Sequence, residues 1–130
     1  MSDDSVVLDV AGLQRLVDVL GQGGRTVIGP TVRDGVVVHA PITSVAELPA
    51  RARDAQAPGR YRLSLDGDER LFAFAAAAQS WKPFLFPSRQ PLLSVSPEGA
   101  VTAVEEEPPS YAFLGVRSCD LAAVAVHDRV

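Results

Sequence analysis

The stretch Tyr111-Ala-Phe-Leu-Gly-Val-Arg-Ser-Cys-Asp-Leu-Ala-Ala-Val-Ala-Val126 joins two patterns of secondary structure. The six residues that end at Val116 predict a buried strand, and a helical pattern begins at Ser118. Cys119, the one cysteine of the chain, follows directly. Because backbone N–H groups at a helix start are unpaired and the helix dipole is positive there, this position favours a thiolate.

The same stretch bears on domain organisation. A strand and the helix after it normally lead back to a neighbouring strand, whereas here the helical pattern runs on to Val130. A length of 130 residues is typical of one domain. We therefore expect residues 1–130 to form a single domain, which is either the front part of a longer protein or a truncated copy of one.

The residues before this stretch predict short helices and hairpins. Asp9 is placed to cap a helix, and Ser44 and Glu47 have the spacing of a capping box. Asp34-Gly35 joins two β-rich runs, as in a two-residue hairpin turn. These signals predict an α+β fold with a mainly antiparallel or mixed sheet, built from hairpins with short helices and ending in one strand–helix unit.

The middle of the chain has weaker signals. We expect a surface loop at residues 50–59 and an alternating strand at 60–65, followed by a second strand at 70–75. Prolines among the aromatic residues of 80–89 predict an irregular segment. A last hairpin is expected over residues 91–106, with its turn at Pro97-Glu98-Gly99.

Composition and charge exclude several functions. Hydrophobic residues make up 47% of the chain and charged residues 22%, as in ordinary globular proteins. No apolar run approaches the roughly 20 residues of a membrane span, and the amino terminus lacks the pattern of a secretory signal. The net charge of −4 argues against a nucleic-acid partner. One cysteine fits a reducing compartment, so we expect a cytoplasmic protein.

Cys119 is the leading candidate for chemistry. Arg117 would favour its thiolate and Asp120 would oppose it, while the structural alternative is a small buried residue at a strand–helix corner. His39 and His127 have no second ligand at metal-binding spacing. An iron–sulfur cluster usually takes four cysteine thiolates, so this chain alone cannot hold one, although it could supply one ligand to a shared cluster.

Two further groups of side chains have both a functional and a structural interpretation. The segment Ser80–Arg89 could grip a cofactor, partner or anion through Trp81 and Lys82, or it could be a loop pinned to the core by Trp81 and Phe86. A loose basic group could bind an anion, but we expect a solvated face; its members are Arg51, Arg53, Arg60 and Arg62.

Four stretches occur in an order that resembles a known family; they are Val27–Gly35, Gln56–Leu63, Ser80-Trp-Lys-Pro-Phe-Leu-Phe-Pro87 and Tyr111–Leu121. Together they look like the front part of the 4Fe-4S dicluster proteins, the family of the beta chain of sulfhydrogenase and of the A component of anaerobic sulfite reductase. The resemblance implies an iron–sulfur electron-transfer subunit of a hydrogenase-like or sulfite-reductase-like complex. In that family a cysteine-rich, ferredoxin-type region towards the carboxyl end carries the 4Fe-4S clusters, and this chain lacks it.

The resemblance also suggests partners and site residues. The cluster-bearing carboxyl-terminal region and partner redox subunits are the expected partners. The residues that match the family's motifs, and are therefore candidates for a cofactor-binding site, are Trp81, Lys82, Arg117, Cys119 and Asp120. Of these, Cys119 is also the candidate metal ligand.

Two other functions stay open at this point, and the chain contains no complete active site of its own. One alternative is a stand-alone module that binds a small anion or flavin-like ligand against Trp81, Lys82 and Arg117. The other is a thiol enzyme that uses Cys119.

Overall fold

The structure is a computed structural model that describes residues 6–75, 77, 79–104 and 107–129. Within them the predicted α+β class is confirmed, because helices combine with one mixed and two antiparallel sheets of short strands. The elements are α1 (Val10–Gln22), β1 (Thr26–Arg33), β2 (Val36–Pro41), a 3₁₀ helix (Val45–Glu47), β3 (Arg53–Ala57), β4 (Arg60–Ser64), α2 (Lys82–Leu85), β5 (Leu93–Val95), β6 (Val101–Ala103), β7 (Tyr111–Phe113) and α3 (Ser118–His127). None of the helices described is long and apolar enough to cross a bilayer.

The central sheet has the strand order β2-β1-β7. β1 runs antiparallel to β2 and parallel to β7. The β1–β2 turn has φ values of 51° at Asp34 and 74° at Gly35. Two successive positive φ angles are what a tight hairpin turn of type I′ needs, so this predicted hairpin is confirmed.

Local capping signals also form as predicted. The Asp9 carboxylate accepts a hydrogen bond of 2.7 Å from the backbone N–H of Gly12 at the start of α1. Ser44 and Glu47 form the reciprocal capping box of the 3₁₀ helix. Each of these motifs depends only on residues within four positions of one another, which explains why the sequence predicts them.

The two faces of the central sheet are covered differently. One face packs against α1 and the 3₁₀ helix around a buried cluster of Val17, Val27, Ile42, Val45 and Leu48. The other face carries residues that the strand pairing places side by side, Ile28 opposite Phe113 and Pro30 opposite His39. On this second face Val37 packs with Ala52 and Phe74. The candidate functional residues gather on the second face.

The prediction of a surface loop at residues 50–59 is wrong. Arg53–Ala57 form β3, which pairs antiparallel with β4 across a turn where Gly59 has a φ of 68°. The strand contains no β-branched or aromatic residue, so pairing with β4 forms it rather than intrinsic propensity. The strand predicted at 70–75 does not form either, and those residues are turns, bends and irregular backbone.

The carboxyl end differs in length from the prediction. β7 covers only Tyr111–Phe113 and is half-buried, and the positive φ of 83° at Gly115 prevents the strand from continuing to Val116. α3 begins at Ser118, as predicted, but ends at His127.

Two other segments also depart from the prediction in detail. The irregular segment at 80–89 includes the four-residue helix α2. The hairpin at 91–106 forms with shorter strands, β5 and β6, and its predicted last residues, Glu105 and Glu106, lie outside the described residues.

Candidate functional site

Trp81 lies at the centre of the candidate site and is only 4% exposed. Its indole stacks on the imidazole of His39 in β2, with ring centroids 3.6 Å apart and planes 20° apart. Phe113 of β7 meets the indole edge-on, with centroids 4.9 Å apart. Trp81 therefore pins the 80–89 segment to the sheet, whereas Phe86, the other expected anchor, is 52% exposed and contacts His127 instead.

Arg117 ties the start of α3 to the segment after β4. Its guanidinium donates a hydrogen bond to the backbone carbonyl of Phe74 and lies 5.4 Å from the centroid of the Phe74 ring. The planar guanidinium combines hydrogen bonding at its edge with cation–π attraction over its face. This cation therefore already has two partners within the chain.

Asp120 caps α3 from its third position. Its carboxylate accepts a hydrogen bond of 3.2 Å from the backbone N–H of Arg117. The reciprocal bond of a capping box does not form, because a guanidinium has no acceptor atom. A carboxylate in the first turn also interacts favourably with the positive end of the helix dipole.

His39 of β2 is half-buried against Trp81. Burial lowers the pKa of its imidazole, because the charged form loses water, while the nearby Asp120 carboxylate and a hydrogen bond to the backbone of Gln79 oppose this shift. One side chain of β2 therefore stacks on Trp81 and lies within the field of Asp120. The direct contact between the two motif segments is the edge-on packing of Trp81 against Phe113.

Cys119 and Lys82 are placed differently from these residues. Cys119 is exposed at the second position of α3, which excludes the buried packing role in this chain. Lys82 is exposed at the first position of α2. Within the described residues, neither side chain makes a hydrogen bond or ion pair to Trp81, Arg117 or Asp120. The five predicted site residues thus divide into three that make structural contacts, Trp81, Arg117 and Asp120, and two that are exposed, Lys82 and Cys119.

An open depression of about 550 Å³ lies beside Arg117. Its walls are the rings of Phe72 and Phe74 and the backbone that leads into α3, from Gly115 to Ser118. The depression combines aromatic carbon, a guanidinium and a helix start. These groups suit a small ligand that has an apolar part and a negative charge.

The described residues do not fit an iron–sulfur cluster held by this chain alone. Among them, no three histidine, cysteine or acidic side chains lie close enough to share a metal ion. A 4Fe-4S cluster takes four cysteine thiolates, and the chain has one cysteine. Cys119, which is exposed, could supply one thiolate to a cluster whose other ligands come from elsewhere.

The sequence interpretation missed part of this site. His39 was considered only as a metal ligand, although it lies two residues after the buried Val37 and so shares its face of the sheet. The alternation of side chains along β2 could therefore have placed His39 on the buried face. Phe74 had no such signal, because its contact with Arg117 depends on turns that replace the predicted strand.

Comparisons of the chain with protein-family models, curated proteins and solved structures found no match.

Proposed function

We propose that this chain is the amino-terminal scaffold domain of a cytoplasmic iron–sulfur electron-transfer subunit in a hydrogenase-like or sulfite-reductase-like complex. The ordered motifs described above support the proposal, since they resemble the front part of such subunits. The clusters would be carried by a cysteine-rich carboxyl-terminal region, and they would supply one-electron transfer. This chain would dock against that region and against partner redox subunits.

The observation that carries the proposal is the direct contact between the two motif segments. Trp81 meets Phe113 edge-on, and Phe84 meets both Tyr111 and Phe113. The two segments thus pack together through aromatic rings on β7, and the guanidinium of Arg117 separately ties the start of α3 to the backbone of Phe74. We infer that these contacts set the position of the α3 start.

In this proposal the predicted site residues have two kinds of role, a structural one and one towards the docked region. Trp81, Arg117 and Asp120 hold the geometry, and none of them needs to contact the cluster. Cys119 and Lys82 are exposed at the starts of α3 and α2. Cys119 would supply at most one thiolate ligand to a cluster, and Lys82 would place a positive charge near the docked region.

The test is anaerobic purification of the protein from its own cells together with the chains that bind it. Iron and acid-labile sulfide are then measured, and the reduced sample is examined by electron paramagnetic resonance. The proposal predicts stoichiometric iron and sulfide and a cluster spectrum in the purified complex. A complex without iron and sulfide would contradict it.

Variants separate a ligand role of Cys119 from a positional one. If Cys119 binds iron, Cys119→Ser changes the resonance spectrum or lowers the iron content, whereas the neighbouring exposed Ser118→Ala changes neither. If Arg117 only positions α3, Arg117→Ala weakens association with the cluster-bearing chain but leaves the spectrum of the retained clusters unchanged.

The depression beside Arg117 favours a second candidate, a stand-alone small-ligand or flavin-binding module. Trp81 offers no exposed face to a flavin ring, so contact would come from Phe72, Phe74 and Arg117. Equilibrium titration with flavins, followed by flavin fluorescence, tests this candidate directly. Tight stoichiometric binding that is lost in Arg117→Gln and retained in Arg25→Gln would favour it over the scaffold role.

A further inference from the structure

We propose that the exposed face of the β3–β4 hairpin is a docking surface for an acidic, extended segment of a partner protein. The pairing register places Ala57 opposite Arg60, Ala55 opposite Arg62 and Arg53 opposite Ser64. Residues directly opposite each other in an antiparallel pair project to the same side. Three of the four arginines noted in the sequence therefore share one face of the hairpin.

The other face of the hairpin packs against the protein and so fixes which side is outward. Leu63 packs on the buried cluster of Val37, Ala52 and Phe74. The Asp54 carboxylate accepts a hydrogen bond of 2.6 Å from the backbone N–H of Ala75. The arginine-bearing face is consequently turned to solvent, where Arg53, Arg60 and Arg62 are all exposed.

The three arginines leave the strands at regular intervals along the hairpin. Residues two apart on a strand are separated by roughly 7 Å, which applies to Arg60 and Arg62. Arg53 is the diagonal neighbour of Arg62, at a similar distance of about 7–8 Å. Ala55 and Ala57 form the floor between the long side chains, where Gln56, Arg60 and Arg62 complete a shallow depression of about 200 Å³. The face is thus a two-stranded ribbon whose arginines follow one another along its length.

Two of these cations have no anionic partner within the described part of the chain. The one ion pair found there joins Arg70 to Asp68. Arg53, in contrast, has a carboxylate nearby. The pKa of Asp66 is lowered chiefly by hydrogen bonds from Ser64 and the backbone, and to a smaller extent by the positive charge of Arg53. Arg60 and Arg62 are therefore the free hydrogen-bond donors of the surface.

An acidic protein segment fits this face better than a nucleic acid does. Alternate residues of an extended strand lie roughly 7 Å apart, so side chains at every second position of a partner strand match the arginine row. Guanidinium groups pair with carboxylates through two parallel hydrogen bonds. Surfaces that bind single-stranded nucleic acid usually interleave aromatic rings with cations, and this face has alanines between its arginines.

The experiment measures fluorescence anisotropy of a short labelled peptide of alternating Glu and Thr on titration with the full chain at low salt. The same peptide with Gln in place of Glu is the ligand control. We expect the Glu peptide to bind, its affinity to fall with added salt, and the double variant Arg60→Gln/Arg62→Gln to weaken it by about tenfold. The control double variant Arg15→Gln/Arg25→Gln removes the same amount of charge elsewhere on the protein. Its affinity for the Glu peptide should stay within about twofold of that of the wild type.

A conservative double variant separates loss of the arginine contacts from misfolding of the hairpin. Arg60→Lys/Arg62→Lys keeps the charge but loses the bidentate geometry, so it should bind with an affinity between those of the wild type and the Gln variant. The proposal is overturned if the Glu peptide does not bind at low salt, if the Gln peptide binds equally well, or if the two charge-matched double variants weaken binding alike. It is also overturned if inorganic triphosphate or a single-stranded oligonucleotide binds this face and the Glu peptide does not.

Discussion

The imidazole of His39 and the indole of Trp81 stack with their planes 20° apart and each buries a nitrogen without a hydrogen-bond partner among the described residues. The two atoms are His39 Nδ1 and Trp81 Nε1. Because a charge buried without a full set of partners is costly, the stack favours the neutral imidazole. Protonation of His39 should therefore loosen its stack with Trp81.

We predict that acidification from about pH 7.5 to about pH 5.5 lowers the free energy of unfolding through His39. Burial lowers the folded-state pKa below the ordinary value of 6.5. The unfolded chain then binds more protons between the two pKa values, so stability is fully present above the unfolded value and falls as the pH drops below it. Urea unfolding followed by the fluorescence of the sole tryptophan measures the effect.

Matched variants identify the responsible group. His39→Gln should remove most of this pH dependence, whereas His127→Gln in α3 should retain it. Glu47, whose pKa is lowered by backbone hydrogen bonds from Thr43 and Ser44, loses its contribution only at lower pH, starting from an ordinary value of 4.5. A pH dependence that persists unchanged in His39→Gln would show that the buried imidazole is not its source.

Trp81 should be one of the most sensitive positions for stability. Trp81→Ala removes a 4% exposed ring that contacts β2 and β7, and we expect it to cost about 3–5 kcal/mol. Trp81→Phe keeps an aromatic ring and also removes the unpartnered Nε1, so its cost should stay below about 2 kcal/mol. Chemical denaturation followed by circular dichroism measures the free energy of unfolding of both variants. Equal decreases in Trp81→Ala and Trp81→Phe would contradict the anchoring role of the aromatic ring.

Local signals in the sequence were sufficient for the parts of the fold that depend on neighbouring residues. The cap at Asp9, the turn at Asp34-Gly35 and the capping box of Ser44 and Glu47 all form as predicted. β3 was missed because pairing with β4 creates it, and residues 70–75 pair with no strand although their sequence predicts one. Pairing between strands is information that periodicity alone does not contain.

The same distinction applies to the candidate site. Trp81, Arg117 and Asp120 were predicted as site residues from motif matches, and each has a structural partner: Trp81 stacks on His39, Arg117 holds Phe74 and Asp120 caps α3. The motifs carry no information on exposure, so the exposure of Cys119 could not be predicted. Its helix start was predicted correctly, but the direction of its side chain depends on which stripe of α3 packs against the sheet.

Arg117 should control how firmly α3 is attached. No side chain of α3 is fully buried, so the hydrogen bond from the Arg117 guanidinium to the carbonyl of Phe74 is a principal attachment of the helix start. We expect Arg117→Ala to cost about 2 kcal/mol and to speed amide exchange in α3 more than in the central sheet. Arg129→Ala, beyond the end of the same helix, is the control and should change neither.

Glycine substitutions test the packing of the β3–β4 hairpin against the turn that follows it. Gly67 donates a backbone hydrogen bond of 3.0 Å to the carbonyl of Arg51, and an added Cβ would lie 2.7 Å from that oxygen. A backbone atom cannot rotate away as a side chain can, so Gly67→Ala should cost about 1–3 kcal/mol. Gly21, within α1, has no atom within 4 Å of an added Cβ. Gly21→Ala should therefore stabilise the protein by about 0.5–1 kcal/mol.

If Gly67 lies as close to the Arg51 carbonyl as described, thermal unfolding should show a lower melting temperature for Gly67→Ala and a higher one for Gly21→Ala than for the wild type. The two substitutions add the same methyl group, so a difference between them reports on surroundings and not on the residue type. The clash at Gly67 acts through Arg51, which itself has a positive φ of 62° and can relax only at further cost. If Gly67→Ala melts at the wild-type temperature, the close approach of Gly67 to Arg51 does not exist in solution, and the hairpin must sit differently on the second face of the sheet.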